Sequence, residues 1–134
     1  MIRIGIDTPV KLASGAFRVT STLPLDWFVN KNPQQYWVPE MDEEFVCRAL
    51  PEGPAILIEG NSWYGRGEPR LTVAPETQFM TRDGKPISAA SVYVGAILKG
   101  HFGDFSVKCK KKVRVLLYEV NVTSVGWLDT VGGG

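Results

Sequence analysis

Apolar residues recur at every second position in short runs, and Gly or Pro closes almost every run. This pattern constrains the fold most. A period of two gives a strand one buried face, and closely spaced breakers leave little room for helices. Ile2, Ile4 and Ile6 alternate with Arg3 and Gly5, and Gly15 to Thr20 repeats the pattern through Ala16-Phe17-Arg18-Val19. Ala55 to Glu59 is a continuous apolar strand, with shorter candidates at Arg70 to Val73 and Gln78 to Thr81. Ser91 to Lys99 reads as a long strand, Phe105 to Cys109 as another, and Lys112 to Val122 as the longest. Asp83-Gly84 is a tight-turn signal. Leu23 to Pro39 is irregular and rich in aromatics.

One helix candidate interrupts the strands. Pro39 to Leu50 has Pro in its first turn, acids after it and Arg48 at its far end, as the helix dipole prefers. Phe45-Val46-Cys47 suits a strand equally, and Pro51, Gly53 and Pro54 are expected to end the segment either way. Roughly seven or eight short strands with at most one short helix predict an all-β fold, a barrel or a sandwich. The 134 residues match one domain, expected over residues 1–128, with 129–134 as a flexible tail. No repeat or linker divides the chain.

The formal net charge is +1, so bulk charge points to no polyanionic partner. Its distribution says more. Lys99, Lys108, Lys110, Lys111, Lys112 and Arg114 face only Asp104 within residues 99–114, while Glu40, Asp42, Glu43 and Glu44 cluster elsewhere. Cys47 and Cys109 are distant, read as buried free thiols, and define no metal site. The first residues contain no run of signal-peptide length, and no stretch approaches a membrane span, which predicts a cytoplasmic protein. The sequon Asn121-Val122-Thr123 then carries no weight.

Catalytic patterns are missing. His101 is the sole histidine, there is no Gly-x-Ser-x-Gly elbow, and no Gly-rich loop ends in Lys-Ser or Lys-Thr. The acids Asp42, Glu43 and Glu44 suit a solvated face better than a carboxylate pair. Binding patterns remain. Trp63 and Tyr64 lie beside Arg66 and Arg70 on a Gly-rich loop, and His101 and Phe102 sit at a tip next to Lys99 and Lys108. Aromatics beside cations suit a single strand of nucleic acid, whose bases stack and whose phosphates need positive charge. The competing reading makes the aromatics ordinary core and Lys108, Lys110, Lys111 and Lys112 a solvated hairpin.

Met80-Thr81-Arg82-Asp83-Gly84-Lys85-Pro86-Ile87, followed by Tyr93-Val94-Gly95, resembles phage single-stranded DNA-binding proteins, the podovirus-type helix-destabilising family. The likeness spans roughly residues 70–129, with Gly103 to Lys112 as a Gly- and Lys-rich hairpin and Val113 to Gly126 as the last strand. The acidic tail usual in that family is missing, and the family's longer insertion has little room here. The resemblance implies an OB-like, mostly antiparallel β-barrel. It also implies sequence-independent single-stranded DNA binding in phage replication or recombination, with no catalysis and no cofactor. The DNA contacts would be Trp63, Tyr64, Arg66, Arg70, Lys99, His101, Phe102, Lys108, Lys110, Lys111 and Lys112. Partners would be single-stranded DNA, a second copy of the chain and replication proteins, in the cytoplasm of a host cell. The alternative is a protein-binding or structural phage β-domain with no nucleic-acid role.

Overall fold

Alternation and frequent breakers do produce an all-β chain. The computed structural model describes residues 2–5, 8–11, 17–19, 34–38, 43–62, 70–100, 103–120, 124–125 and 128–131. Its strands are β1 (Ile2–Ile4), β2 (Pro9–Lys11), β3 (Phe17–Val19), β4 (Gln34–Val38), β5 (Glu43–Ser62), β6 (Arg70–Val73), β7 (Gln78–Met80), β8 (Pro86–Ser88), β9 (Ile97–Gly100), β10 (Gly103–Val120), β11 (Ser124–Val125) and β12 (Leu128–Asp129). A single 3-10 turn, Ala89–Ser91, is the one helical element among the described residues.

Every named strand pairing is antiparallel. The order in the main sheet is β3-β2-β11-β12-β9-β10-β1-β6-β5-β4, and β7 and β8 form a separate hairpin. Because β10 also pairs with β5, the strands β10, β1, β6 and β5 close into a ring. Ile4 stands in the middle of it, opposite Tyr118 on one side and Val73 on the other. Inside lie Ile2, Ile4, Ile56, Ile58, Leu71, Val73, Tyr118 and Val120, joined by Phe79, Leu98, Phe105 and Leu128. Burying side chains of this size contributes about 1.5–3 kcal/mol each.

Three expectations about the strands change. Residues 43–50, expected in a helix, run in β5, where Cys47 pairs with Val120 and with Gln34. The β-branched and aromatic run at 45–47 finds partners on both edges, and this outweighs the end charges. Pro51, Gly53 and Pro54 lie within β5 without ending it. Pro51 falls in a register shift, between the pairs Glu52↔Leu116 and Ala49↔Tyr118, where no ladder bond needs its missing N–H. The Gly- and Lys-rich hairpin at 103–112 does not exist. Gly103–Val120 is one strand, paired with β5 from Phe105 to Val120. Finally, Ser91 to Lys99 is not a strand throughout. Val92 anchors a turn through Tyr93 and Val94 to Gly95, whose φ of +96° suits glycine, and β9 starts at Ile97.

A side chain extends the ring where the β1 ladder ends. The Thr8 hydroxyl donates to the Thr72 carbonyl at 2.9 Å and accepts from the Thr72 N–H at 3.1 Å. Thr8 is 1% exposed. Thr8→Val keeps the shape and leaves the Thr72 N–H without that acceptor, so it should cost about 1–3 kcal/mol. Thr8→Ser should recover most of it. Chemical denaturation of the three proteins checks this, and an unchanged Val variant would mean that water replaces the hydroxyl.

Candidate functional site

The two outermost described segments of the chain dock on one short stretch, residues 73–79. On one side, the Ala74 N–H donates to the Arg3 carbonyl at 2.9 Å, one step beyond the pair Ile4↔Val73. On the other, Phe79 bridges Thr130, and the Val131 N–H donates to the Gln78 carbonyl at 2.9 Å. Ala74 and Gln78 are four residues apart, so their Cα atoms lie within about 14 Å even in an extended chain. The turn between them shortens that distance.

This turn is tightly held. The Thr77 N–H donates to the Ala74 carbonyl at 3.0 Å. The 3-10 turn packs against it, with the Ala89 N–H on the Thr77 carbonyl at 2.7 Å and the Ala90 N–H on the Pro75 carbonyl at 3.0 Å. Arg3 reaches across its outer face, 3.8 Å from Glu76 and 3.6 Å from Glu119. Arg3 and Glu76 are exposed and Glu119 is half-buried, and pairs at such distances near the surface contribute little to stability. A cleft of about 430 Å³ opens beside the turn, between Leu50–Pro54 and Ala74–Glu76, with Arg3 and Leu117 in its lining. Thr77 is 8% exposed, and its hydroxyl has no hydrogen-bond partner among the described residues.

The residues expected to contact DNA are not centred here. Trp63, Tyr64, Arg66, His101 and Phe102 lie outside the described residues. Arg70 is exposed on β6, 3.5 Å from Glu59 of the neighbouring strand. Lys99 is exposed on β9, and Lys108, Lys110, Lys111 and Lys112 follow one another along β10. Lys110 is tied to the Ala90 carbonyl, and Arg114 lies 3.4 Å from Glu52. Cys109 is a half-buried free thiol. Among the described residues, no group of three or more His, Cys, Asp or Glu is placed to hold a metal. Sequence reasoning missed Thr77 and the docking of Thr130 and Val131, because a threonine in a turn carries no signal of burial or of what lies beside it.

Neither a protein-family model nor a curated protein sequence matches the chain. Solved structures do. The DnaB intein from Synechocystis sp. PCC 6803 superposes with a TM-score of 0.62 at 11% identity, over 97% of each chain. The TvoVMA intein gives 0.54 at 14% identity, over 99% of this chain and 98% of that one. The zinc-bound splicing domain of the Msm DnaB1 intein gives 0.55 at 16% identity, over 95% and 98%. The chain has the intein fold.

That finding overturns the resemblance to phage single-stranded DNA-binding proteins, while the expected all-β, mostly antiparallel fold with at most one short helix stands. The DNA-binding function, the replication and recombination setting, the single-stranded DNA partner and the non-catalytic assignment fall with it. A β-domain with no nucleic-acid role agrees better with the intein neighbours. The reason for the error is physical. Asp83-Gly84-Lys85 is a turn with Gly84 at φ +82°, closed by the Thr81 hydroxyl donating to the Lys85 carbonyl at 2.9 Å. It serves the β7–β8 hairpin, and any β-fold can use such a turn. The second half of the motif, Tyr93-Val94-Gly95, is itself a turn and not a strand.

Proposed function

We propose that this domain processes the polypeptide in which it is embedded, the acyl group of a peptide bond next to it passing to a hydroxyl, a thiol or water as the amine of that bond leaves, as a protein-splicing domain does. The observation that carries this reading is the docking of residues 3–4 and 130–131 on the same short stretch, residues 73–79, in a fold shared with inteins along almost the whole chain. Joining or cutting flanking segments is slow when their ends meet by diffusion. Holding both flanks on one platform makes the step unimolecular, and well-oriented intramolecular reactions reach effective concentrations of about 10⁵–10⁸ M. A turn fixed by backbone hydrogen bonds on both sides supplies that geometry without moving at the moment of reaction.

The test places the domain between two soluble reporter proteins. Mass spectrometry of the purified fusion should find released flanks, or joined flanks with the domain excised, accumulating over hours. A fusion that stays intact from mildly acid to mildly alkaline pH, with circular dichroism showing a folded β-domain, would sink the reading.

A further inference from the structure

Five large apolar side chains are exposed among the described residues, and three of them, Tyr93, Val94 and Ile97, fall within five consecutive positions. The turn that carries them is held firmly. Val92 and Ala96, on either side of its tip, are both buried. The Gly95 N–H donates to the Val107 carbonyl at 2.8 Å, and the Val107 N–H donates to the Ala96 carbonyl at 2.9 Å. Tyr93 and Val94 therefore stand out, at 63% exposure each, on backbone fixed to β10. Beside them a cleft of about 560 Å³ opens toward the Asp83-Gly84 turn, with Arg82, Asp83, Lys85, Ile87, Tyr93 and Ile97 in its lining. Exposed apolar area gathered on a rigid support beside a cleft is a mark of an interaction site.

The charge around this patch selects the partner. Arg82 is matched by Asp104 at 3.4 Å. The Lys85 ammonium meets no carboxylate among the described residues. Nor does that of Lys110, whose Nζ donates to the carbonyl of Ala90, three residues before Tyr93. Against these two cations the described lining of the cleft sets one acid, Asp83. We propose that the patch docks a protein partner through a short acidic segment bearing one aromatic or branched aliphatic side chain. That side chain enters the cleft between Tyr93 and Ile97, and its acidic neighbours face Lys85 and Lys110. A small molecule in the cleft would leave Val94 in water, since Val94 stands outside the lining. A macromolecule covers both. A second copy of the chain, seated patch to patch, would set these lysines against their own like charge. A nucleic-acid strand would find no stacking face on Val94 or Ile97. The turn is already ordered, so docking pays little to fix it. The surface is independent of the self-processing reading.

Synthetic peptides titrated into the isotope-labelled domain test this, with backbone amide shifts followed by NMR. An acidic peptide with one central phenylalanine should shift the amides of Lys85, Tyr93 and Ile97 and saturate, more weakly as salt rises. The same peptide with lysines in place of its acids should leave them unmoved. Tyr93→Ala should weaken binding about tenfold or more while the thermal midpoint holds, because the ring is exposed. Lys85→Glu should abolish the preference for the acidic peptide. Three results would overturn the proposal. One is an acidic peptide that moves none of these amides, or moves them no more than its lysine counterpart does. Another is oligo-dT shifting the same amides where the acidic peptide does not. The third is a concentration-dependent dimer, seen by sedimentation, that Tyr93→Ala dissociates, which would assign the patch to a second copy.

Discussion

Gly60→Ala should lower the thermal midpoint by about 10 °C or more. Gly60 is buried in β5 opposite Val107 of β10. A Cβ there would lie 2.3 Å from the Ser106 carbonyl oxygen and 2.6 Å from both Cε1 and Cζ of Phe105. Neither neighbour can withdraw cheaply. One is backbone in the longest ladder of the fold, and the other is a ring at 1% exposure in the core. The ladder must open locally, which places the cost near the top of the overpacking range, about 3 kcal/mol. At this chain length each kcal/mol is worth about 3–5 °C. Shrinking the ring should return part of the loss, so Gly60→Ala with Phe105→Leu should melt above the sum of the two single changes. A single variant within about 2 °C of the parent would mean that the two strands slide past each other freely, against the register.

The β character of the chain was legible because alternation is local. Ile2 and Ile4, Leu71 and Val73, and Phe105 and Val107 sit on their buried faces as the period of two requires. Asp83-Gly84 turned where turn chemistry said it would. What failed was long-range. Nothing in Pro51 or Pro54 says that β10 will carry β5 past them, since the register shift that absorbs Pro51 is defined only by the pairing of the two strands. The lysines at 110–112 looked like a hairpin tip because charge breaks the apolar pattern. Yet their strand is held by pairing with Leu57, Ile56 and Ile58, whose own side chains fill the core. The candidate site was illegible for the same reason. The stretch from Ala74 to Gln78 is joined to Arg3 and Val131, which lie more than fifty residues from it along the sequence in either direction. The family resemblance failed because it rested on turn motifs, which report local backbone geometry and not the order of strands.

The packing beneath that site sets the last expected result, the cost of Phe79→Ala. Phe79 is fully buried, pairs with Ile87 across the β7–β8 hairpin and bridges Thr130 on its other side. It therefore holds the platform from below while its neighbour Gln78 accepts the Val131 N–H. Truncating a buried Phe costs about 3–5 kcal/mol through lost burial and the cavity left behind. Domains of this size have only about 5–15 kcal/mol in all, so the variant should remain folded at low temperature with a much reduced midpoint. Phe79→Leu keeps most of the volume and should cost less than about 2 kcal/mol. The loss should also be local first. If the ring supports the docking of residues 130–131, the Val131 amide should exchange with solvent faster than core amides of β10 such as Val107, through an opening smaller than global unfolding. Hydrogen exchange read residue by residue separates the two cases. A Val131 amide that exchanges only with global unfolding in the Ala variant would show that the outer segment is held by its own strand pairing and not by the core under it. In a fusion, Phe79→Ala would then slow processing no more than its overall stability loss explains.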